Sequence, residues 1–165
     1  MRKNALAGVV LPLLAGTFAS CGGGSSSGPA APTATAVLTM TARPNPVVGD
    51  LCGSHCGDLA GEREALTTLT IREGAGVGAD VTGGTQELRN TATGAVVAQS
   101  TFAPSDFIRD SGSTRIPAAG QFTYRAGVHY GAPHAGAALT FTFTIVTRDD
   151  NGHTVTVMLA VPTTG

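Results

Sequence analysis

The feature that most constrains this chain is an alternation of apolar and polar side chains with a period of two. From Gln121 to Tyr130, Phe122, Tyr124, Ala126, Val128 and Tyr130 share one face. Gln121, Thr123, Arg125, Gly127 and His129 share the other. Leu139, Phe141, Phe143 and Ile145 alternate in the same way with Thr140, Thr142 and Thr144. Val155, Val157, Leu159 and Val161 repeat the pattern before Pro162. Successive side chains of an extended backbone leave on opposite sides, so each run buries one face and wets the other. A helix would need apolar positions three as well as four apart, and in these runs the residue three along falls on the polar face.

The earlier part of the chain carries the same rhythm less cleanly. Ala36–Ala42 predicts a first strand, stopped by Arg43-Pro44-Asn45-Pro46. Val47–Gly61 reads as a loop, with glycine at 49, 53, 57 and 61. Ala65–Arg72 predicts a strand with Thr67, Leu69 and Ile71 on its buried face. Val77, Ala79 and Val81 continue the alternation, and Gly83-Gly84 marks a bulge or bend before Thr85–Arg89. Ala95–Phe102 is a further strand, and Thr114–Ile116 a short one. No segment presents a convincing amphipathic helix. Asn151-Gly152 predicts a two-residue type I′ hairpin, which would set His153 across from Asp150. Short connections favour antiparallel pairing, because parallel neighbours need long crossovers.

The first twenty residues differ from all this. Arg2 and Lys3 precede an apolar stretch, Ala5–Leu14, and small residues then lead to Cys21. This is the outline of a secretory signal peptide. The apolar run is shorter than the roughly 20 residues a membrane-crossing helix requires. Gly22–Gly28 and the Pro/Ala/Thr stretch to Thr35 form a tether, and a coil of about 14 residues reaches about 20 Å. The expected organisation is a leader over 1–20, a tether over 21–35 and one domain over 36–162.

Phe18-Ala19-Ser20-Cys21 resembles the lipobox of bacterial lipoproteins. That resemblance implies acylation of Cys21, which becomes the mature N-terminus carrying palmitate-type chains. Two such chains anchor stably, since each buried methylene contributes about 0.8 kcal/mol. It also implies a cell-envelope location, and Gly22 after the Cys implies the outer membrane in a Gram-negative cell. The rest of the chain is similar to Ig-like and fibronectin-like domains of bacterial envelope proteins. The similarity rests on the strand rhythm over 36–162, on Arg115-Ile116-Pro117-Ala118-Ala119-Gly120 and on the Asp149-Asp150-Asn151-Gly152 hairpin. It implies an all-β fold, an antiparallel two-sheet Ig-like β-sandwich of about seven to eight strands. Such folds host many activities and assign none.

Composition excludes some functions. Ten basic residues include Arg2 and Lys3 of the leader, so eight face eleven acids in the mature chain, a net charge of −3. Nucleic-acid binding calls for a concentrated basic face, and this balance offers none. Three Cys are present. With Cys21 acylated, Cys52 and Cys56 form an even pair, and outside the cytoplasm the expected state is a disulfide. Closing that small loop contributes about 2 kcal/mol.

Cys52-Gly53-Ser54-His55-Cys56 has a competing reading as a metal or redox site. Cys52, His55 and Cys56 are three ligands, and a structural zinc takes four. Asp149, Asp150 and Asn151, with Asp106 or Asp110, could offer oxygens to calcium, which wants six to eight. His129, His134, Met40 and Met158 raise copper, but a blue-copper site also needs a Cys, and the second half has none. Tyr124 and Tyr130 read as core. No Gly-x-Ser-x-Gly or His-Glu-x-x-His occurs, and no cofactor is expected. The leading expectation is a non-enzymatic envelope module that contacts a protein or a glycan through loops or an exposed sheet edge. The alternatives are a metal-handling or redox protein, a structural spacer and an Ig-like protease inhibitor.

Overall fold

The structure, a computed structural model, describes residues 33–52 and 62–164. Their strands are β1 (Leu38–Arg43), β2 (Val47–Leu51), β3 (Arg63–Glu73), β4 (Ala79–Asn90), β5 (Val96–Phe102), β6 (Arg115–Ile116), β7 (Gln121–Tyr130), β8 (Ala138–Asp149) and β9 (Thr154–Thr164). One α-helix, α1 (Pro104–Ser111), lies between β5 and β6. A 3-10 turn at Ala132–His134 joins β7 to β8. The expected all-β class holds.

Two ladders organise the strands. In the first, β3 pairs antiparallel with β7 along its whole length and with β1 and then β2 on its other side. In the second, β9, β8, β4 and β5 follow one another antiparallel, and β6 pairs the start of β4. The ladders are joined through β2, because Val47 and Val48 also pair with Thr163 and Thr164 of β9 in parallel. The described strands therefore form one mixed, nine-stranded sheet.

Two expectations are corrected here. Pairing is not antiparallel throughout, because β2 and β9 run parallel. Val47–Leu51 is a strand and not the start of a loop. Pro44 and Pro46 lack the N–H that a ladder needs, so β1 ends at Arg43 and the chain resumes pairing one step further along. Gly49 and Asp50 in so short a strand hide it from propensity.

The inward residues of both ladders meet in one core. Leu69, Ile71, Tyr124 and Val128 come from the first, and Leu88, Phe141, Phe143, Ile145 and Val161 from the second. Each fully buried side chain of this size contributes roughly 1.5–3 kcal/mol. The alternation read for β3, β7, β8 and β9 matches the buried positions, and Tyr124 and Tyr130 are buried as expected. Gly83-Gly84 does accompany a bulge, since β4 slips register against β8 between Val81 and Gly83.

Helix α1 was not expected. Pro104 occupies its first turn, where the missing N–H costs nothing. The Asp106 carboxylate accepts the Ala103 N–H at 2.8 Å. Gly112 ends the helix at φ 75°, donating its N–H to Ile108 O at 2.9 Å. Two turns bury only Phe107 and leave Ile108 exposed, so no apolar stripe marks the helix in the sequence. Phe107 packs against Tyr124, Phe102 and Phe122 with ring centroids 4.7, 5.8 and 6.3 Å away.

The β8–β9 connection also differs from its prediction. Gly152 N–H donates to Asp149 O, and Asp149 N–H donates to His153 O, both at 2.9 Å. The loop therefore has three residues, and only Gly152 takes positive φ, at 85°. That is a turn followed by a left-handed glycine, the common three-residue hairpin. The extra residue places His153 across from Asp149, not Asp150.

Candidate functional site

The two ladders leave a side on which β5 and β7 both end their pairing. The direction of the free backbone groups on β7 follows from one bond. Glu73 N–H donates to Gly120 O at 3.0 Å. Hydrogen-bonded pairs alternate in an antiparallel ladder, so the even-numbered residues of β7 bond to β3. Its odd-numbered residues turn their N–H and C=O toward the open side.

Gln86 reaches this edge from the second ladder. Its inward position on β4 leaves the residue 3% exposed. Its Nε2 donates to Gly127 O and, at 2.8 Å, to Ser100 Oγ. A carbonyl oxygen can only accept, so the amide nitrogen must be the atom facing Gly127. The Gln86 amide thus supplies the N–H that a neighbouring strand would have given β7. Its Oε1 is buried without a partner among the described residues.

Beside this contact lies a cleft of about 590 Å³, lined by Gln86, Ser100, Phe102, Tyr124, Arg125 and Gly127 and by Glu64, Arg109 and Asp110. Helix α1 fills the adjoining stretch through Phe107. Arg109 is held by Asp106 at 2.9 Å and Asp110 at 2.6 Å. The bond to Arg109 holds the Asp110 carboxyl below its ordinary range. Burial pushes the Tyr124 hydroxyl up to about 12, and the charge of Asp110 adds to that. Arg125 forms no ion pair with a described residue. The cleft therefore brings together the Gln86 side chain, Tyr124 and a guanidinium, that of Arg125, which pairs with no carboxylate among the described residues.

A second, smaller depression of about 430 Å³ lies over the outer face of β5, β4, β8 and β9. Thr101, Thr85 and Thr144 stand in register across three strands there, beside exposed Met158.

Two buried carboxylates hold the end of the domain where the chain enters. Glu73 Oε1 accepts the N–H groups of Val37 at 3.2 Å and Ala75 at 2.7 Å. Its Oε2 accepts those of Gly76, Val77 and Ala119 at 2.8, 3.2 and 2.9 Å. Burial opposes the charge, but the backbone donors prevail and lower the pKa to about 2. Asp149 Oδ1 accepts Asn151 N–H at 3.0 Å and His153 N–H at 2.8 Å. Its Oδ2 accepts Ala36 N–H at 3.1 Å and lies 3.1 Å from His153 Nδ1. Burial again opposes the charge, and the donors from Ala36 and His153 outweigh it, lowering the pKa.

These contacts decide several sequence candidates. Both Asp149 oxygens are taken by protein donors, and Asp150 forms a two-pronged pair with Arg115 at 2.6 and 2.7 Å. Asp106 and Asp110 serve Arg109. The carboxylates named for calcium are thus spent on neighbouring donors. The copper set does not converge, because Met40 is buried in the core while Met158 is 65% exposed. Cys52 follows β2, half-buried, and its sulfur lies within 4.8 Å of donor atoms of Glu64 and His129. His129 Nε2 is 3.3 Å from Glu64 Oε1, and the Cys52 sulfur is itself already engaged. Cys21, His55 and Cys56 lie outside the described residues. None of the described helices is long and apolar enough to cross a membrane.

Gln86, Arg125 and Glu73 are not among the site residues expected from the sequence. Gln86 did carry a signal, since it shares the parity of buried Leu88 on an inward face.

No family model matches the chain, and no curated protein does. Solved structures do resemble it. One, from Bordetella pertussis and assigned to ApaA, is 16% identical, with a TM-score of 0.53 over 79% of this chain and 96% of that one. Another, the structural-genomics target SoR45, is 12% identical, with a TM-score of 0.55 over 76% of this chain and 84% of that one. This likeness is one of fold alone.

Proposed function

We propose that this chain is a membrane-anchored envelope lipoprotein whose domain is a non-enzymatic interaction module, binding a protein or glycan partner along the side between β5 and β7. The observation that carries this reading is the polar cleft between two edge strands, with a buried, half-satisfied Gln86 and an Arg125 that pairs with no carboxylate among the described residues. Few convergent polar groups in a concave site are the usual mark of a binding position. The anchor is acylated Cys21, supported by its lipobox-like context and by the glycine- and serine-rich stretch after it. We read Cys52 and Cys56 as a disulfide.

The finer fold reading is an Ig-like sandwich. Its support is the single core drawn from both ladders, and a first strand split at Pro44 and Pro46 so that its second half pairs parallel with the last strand.

The test is affinity isolation of the full chain from native membranes, with Cys21→Ser and Arg125→Glu variants alongside. The reading expects detergent-phase partitioning that is lost in Cys21→Ser, and a recovered partner that is lost in Arg125→Glu. A monomeric protein with no partner from any membrane preparation contradicts it.

A further inference from the structure

The end of β2, the start of β3 and the end of β7 bring three side chains of metal-binding type together. Asp50, Glu64 and His129 are cross-strand partners, so one face of the sheet carries all three. The β2–β3 ladder runs one step further, where Cys52 N–H donates to Glu62 O at 2.9 Å. Cys52 lies two residues beyond Asp50, and its side chain joins the same face.

One ligand atom from each of Cys52, Glu64 and His129 lies within 4.8 Å of the other two. Glu64 Oε1 and His129 Nε2 stand 3.3 Å apart. Bonds of about 2.0–2.1 Å from a tetrahedral zinc set neighbouring ligand atoms roughly 3.3–3.4 Å apart, so this pair needs little movement to share an ion. The Glu64 side chain is 14% exposed and that of His129 45%, so the cluster is walled on one side and reached from solvent on the other.

The donor set narrows the metal. Thiolate, imidazole and carboxylate together suit zinc, whereas calcium and magnesium take oxygen ligands. Three protein ligands leave the fourth tetrahedral position to water. Asp50, in the same row, adds negative charge beside the cluster. The Cys52 sulfur decides when the site exists. In the disulfide read above, that sulfur is bonded to another and offers no thiolate.

We propose that Cys52, Glu64 and His129 form a zinc site that is closed by the Cys52 disulfide and opened by its reduction. The disulfide takes two electrons and two protons from a dithiol, which itself closes to a disulfide. Zinc then displaces the Cys52 thiol proton, and an S–Zn bond replaces S–H.

The test titrates Zn²⁺ into the full chain in detergent micelles, against a chromophoric chelator, before and after reduction with a phosphine. The reduced chain should bind one Zn²⁺ with a dissociation constant below about 1 μM, and the oxidised chain at least about a hundredfold more weakly. His129→Ala, at an exposed position, and Glu64→Gln should each weaken binding to the reduced chain at least about tenfold, while His55→Ala should change it less than about twofold. Cys56→Ser, which leaves Cys52 as a thiol, should bind Zn²⁺ without reduction. Equal affinity before and after reduction, no loss in His129→Ala, or no binding by Cys56→Ser would overturn the proposal. Loss in His55→Ala with His129→Ala unchanged would place the metal elsewhere and overturn it too.

Discussion

Ala119 donates its N–H to Glu73 Oε2 at 2.9 Å, and does so from the left-handed region, at φ 51°. A non-glycine residue held there costs of order 1 kcal/mol, so the surrounding bonds must over-determine it. Glu73 does this by gathering backbone donors from the entering segment, the β3–β4 turn and the β6–β7 loop. The carboxylate is the common acceptor that fixes three loops at one end of the domain.

Acid should therefore unfold the protein in a defined window. Glu73 has its folded pKa lowered from 4.5 to about 2. Its contribution is complete above the unfolded value and is lost as pH falls from there through the folded value. Asp149, lowered from 3.8, acts in the same direction. Glu73→Gln should cost about 2 kcal/mol at neutral pH, because an amide cannot accept all five donors as a carboxylate does. It should also flatten the acid limb. Urea unfolding across this pH range measures both effects.

How much of this was legible follows from the physics of each part. Strands β3, β7, β8 and β9 bury one face each, so alternation revealed them. Strand β2 is short and glycine-bearing, and α1 buries only Phe107, so neither left a periodic trace. Pro104 and Gly112 were nonetheless usable start and stop signals. Glu73 sits at a strand end before Gly74, which reads as an ordinary turn. Its donors come from segments up to 46 residues away, and no local pattern encodes that. The cleft was partly readable, since Gln86 occupies a core position on an otherwise apolar face.

Helix α1 is predicted to hold the aromatic cluster through one side chain. Phe107→Ala should cost about 3–5 kcal/mol by removing a buried ring and leaving a cavity. Ile108→Ala, on the exposed side, should change stability by less than about 0.5 kcal/mol. Chemical denaturation of the two variants separates them.

Gly49 and Tyr130 should be energetically coupled. A Cβ on Gly49 would collide with the Tyr130 hydroxyl. That hydroxyl is buried without a partner among the described residues. Gly49→Ala should cost about 1–3 kcal/mol through overpacking. Tyr130→Phe should be neutral or stabilising by up to about 1 kcal/mol, since it removes an unsatisfied group. Combined, the two should show a coupling above about 0.5 kcal/mol in a double-mutant cycle.

The hairpin geometry makes a narrower prediction. Gly152 alone carries positive φ in the β8–β9 loop, so Gly152→Ala should cost about 1 kcal/mol. Thermal unfolding checks it, and a neutral result would argue for a different turn.

The most direct test is amide hydrogen exchange of the full chain on its native envelope, compared with the same protein purified in detergent. The β5–β7 account predicts slower exchange on the envelope at Thr123, Arg125 and Gly127, with Thr142 and Thr144 unchanged. Equal rates in the two preparations, or protection confined to the threonine face, would contradict it.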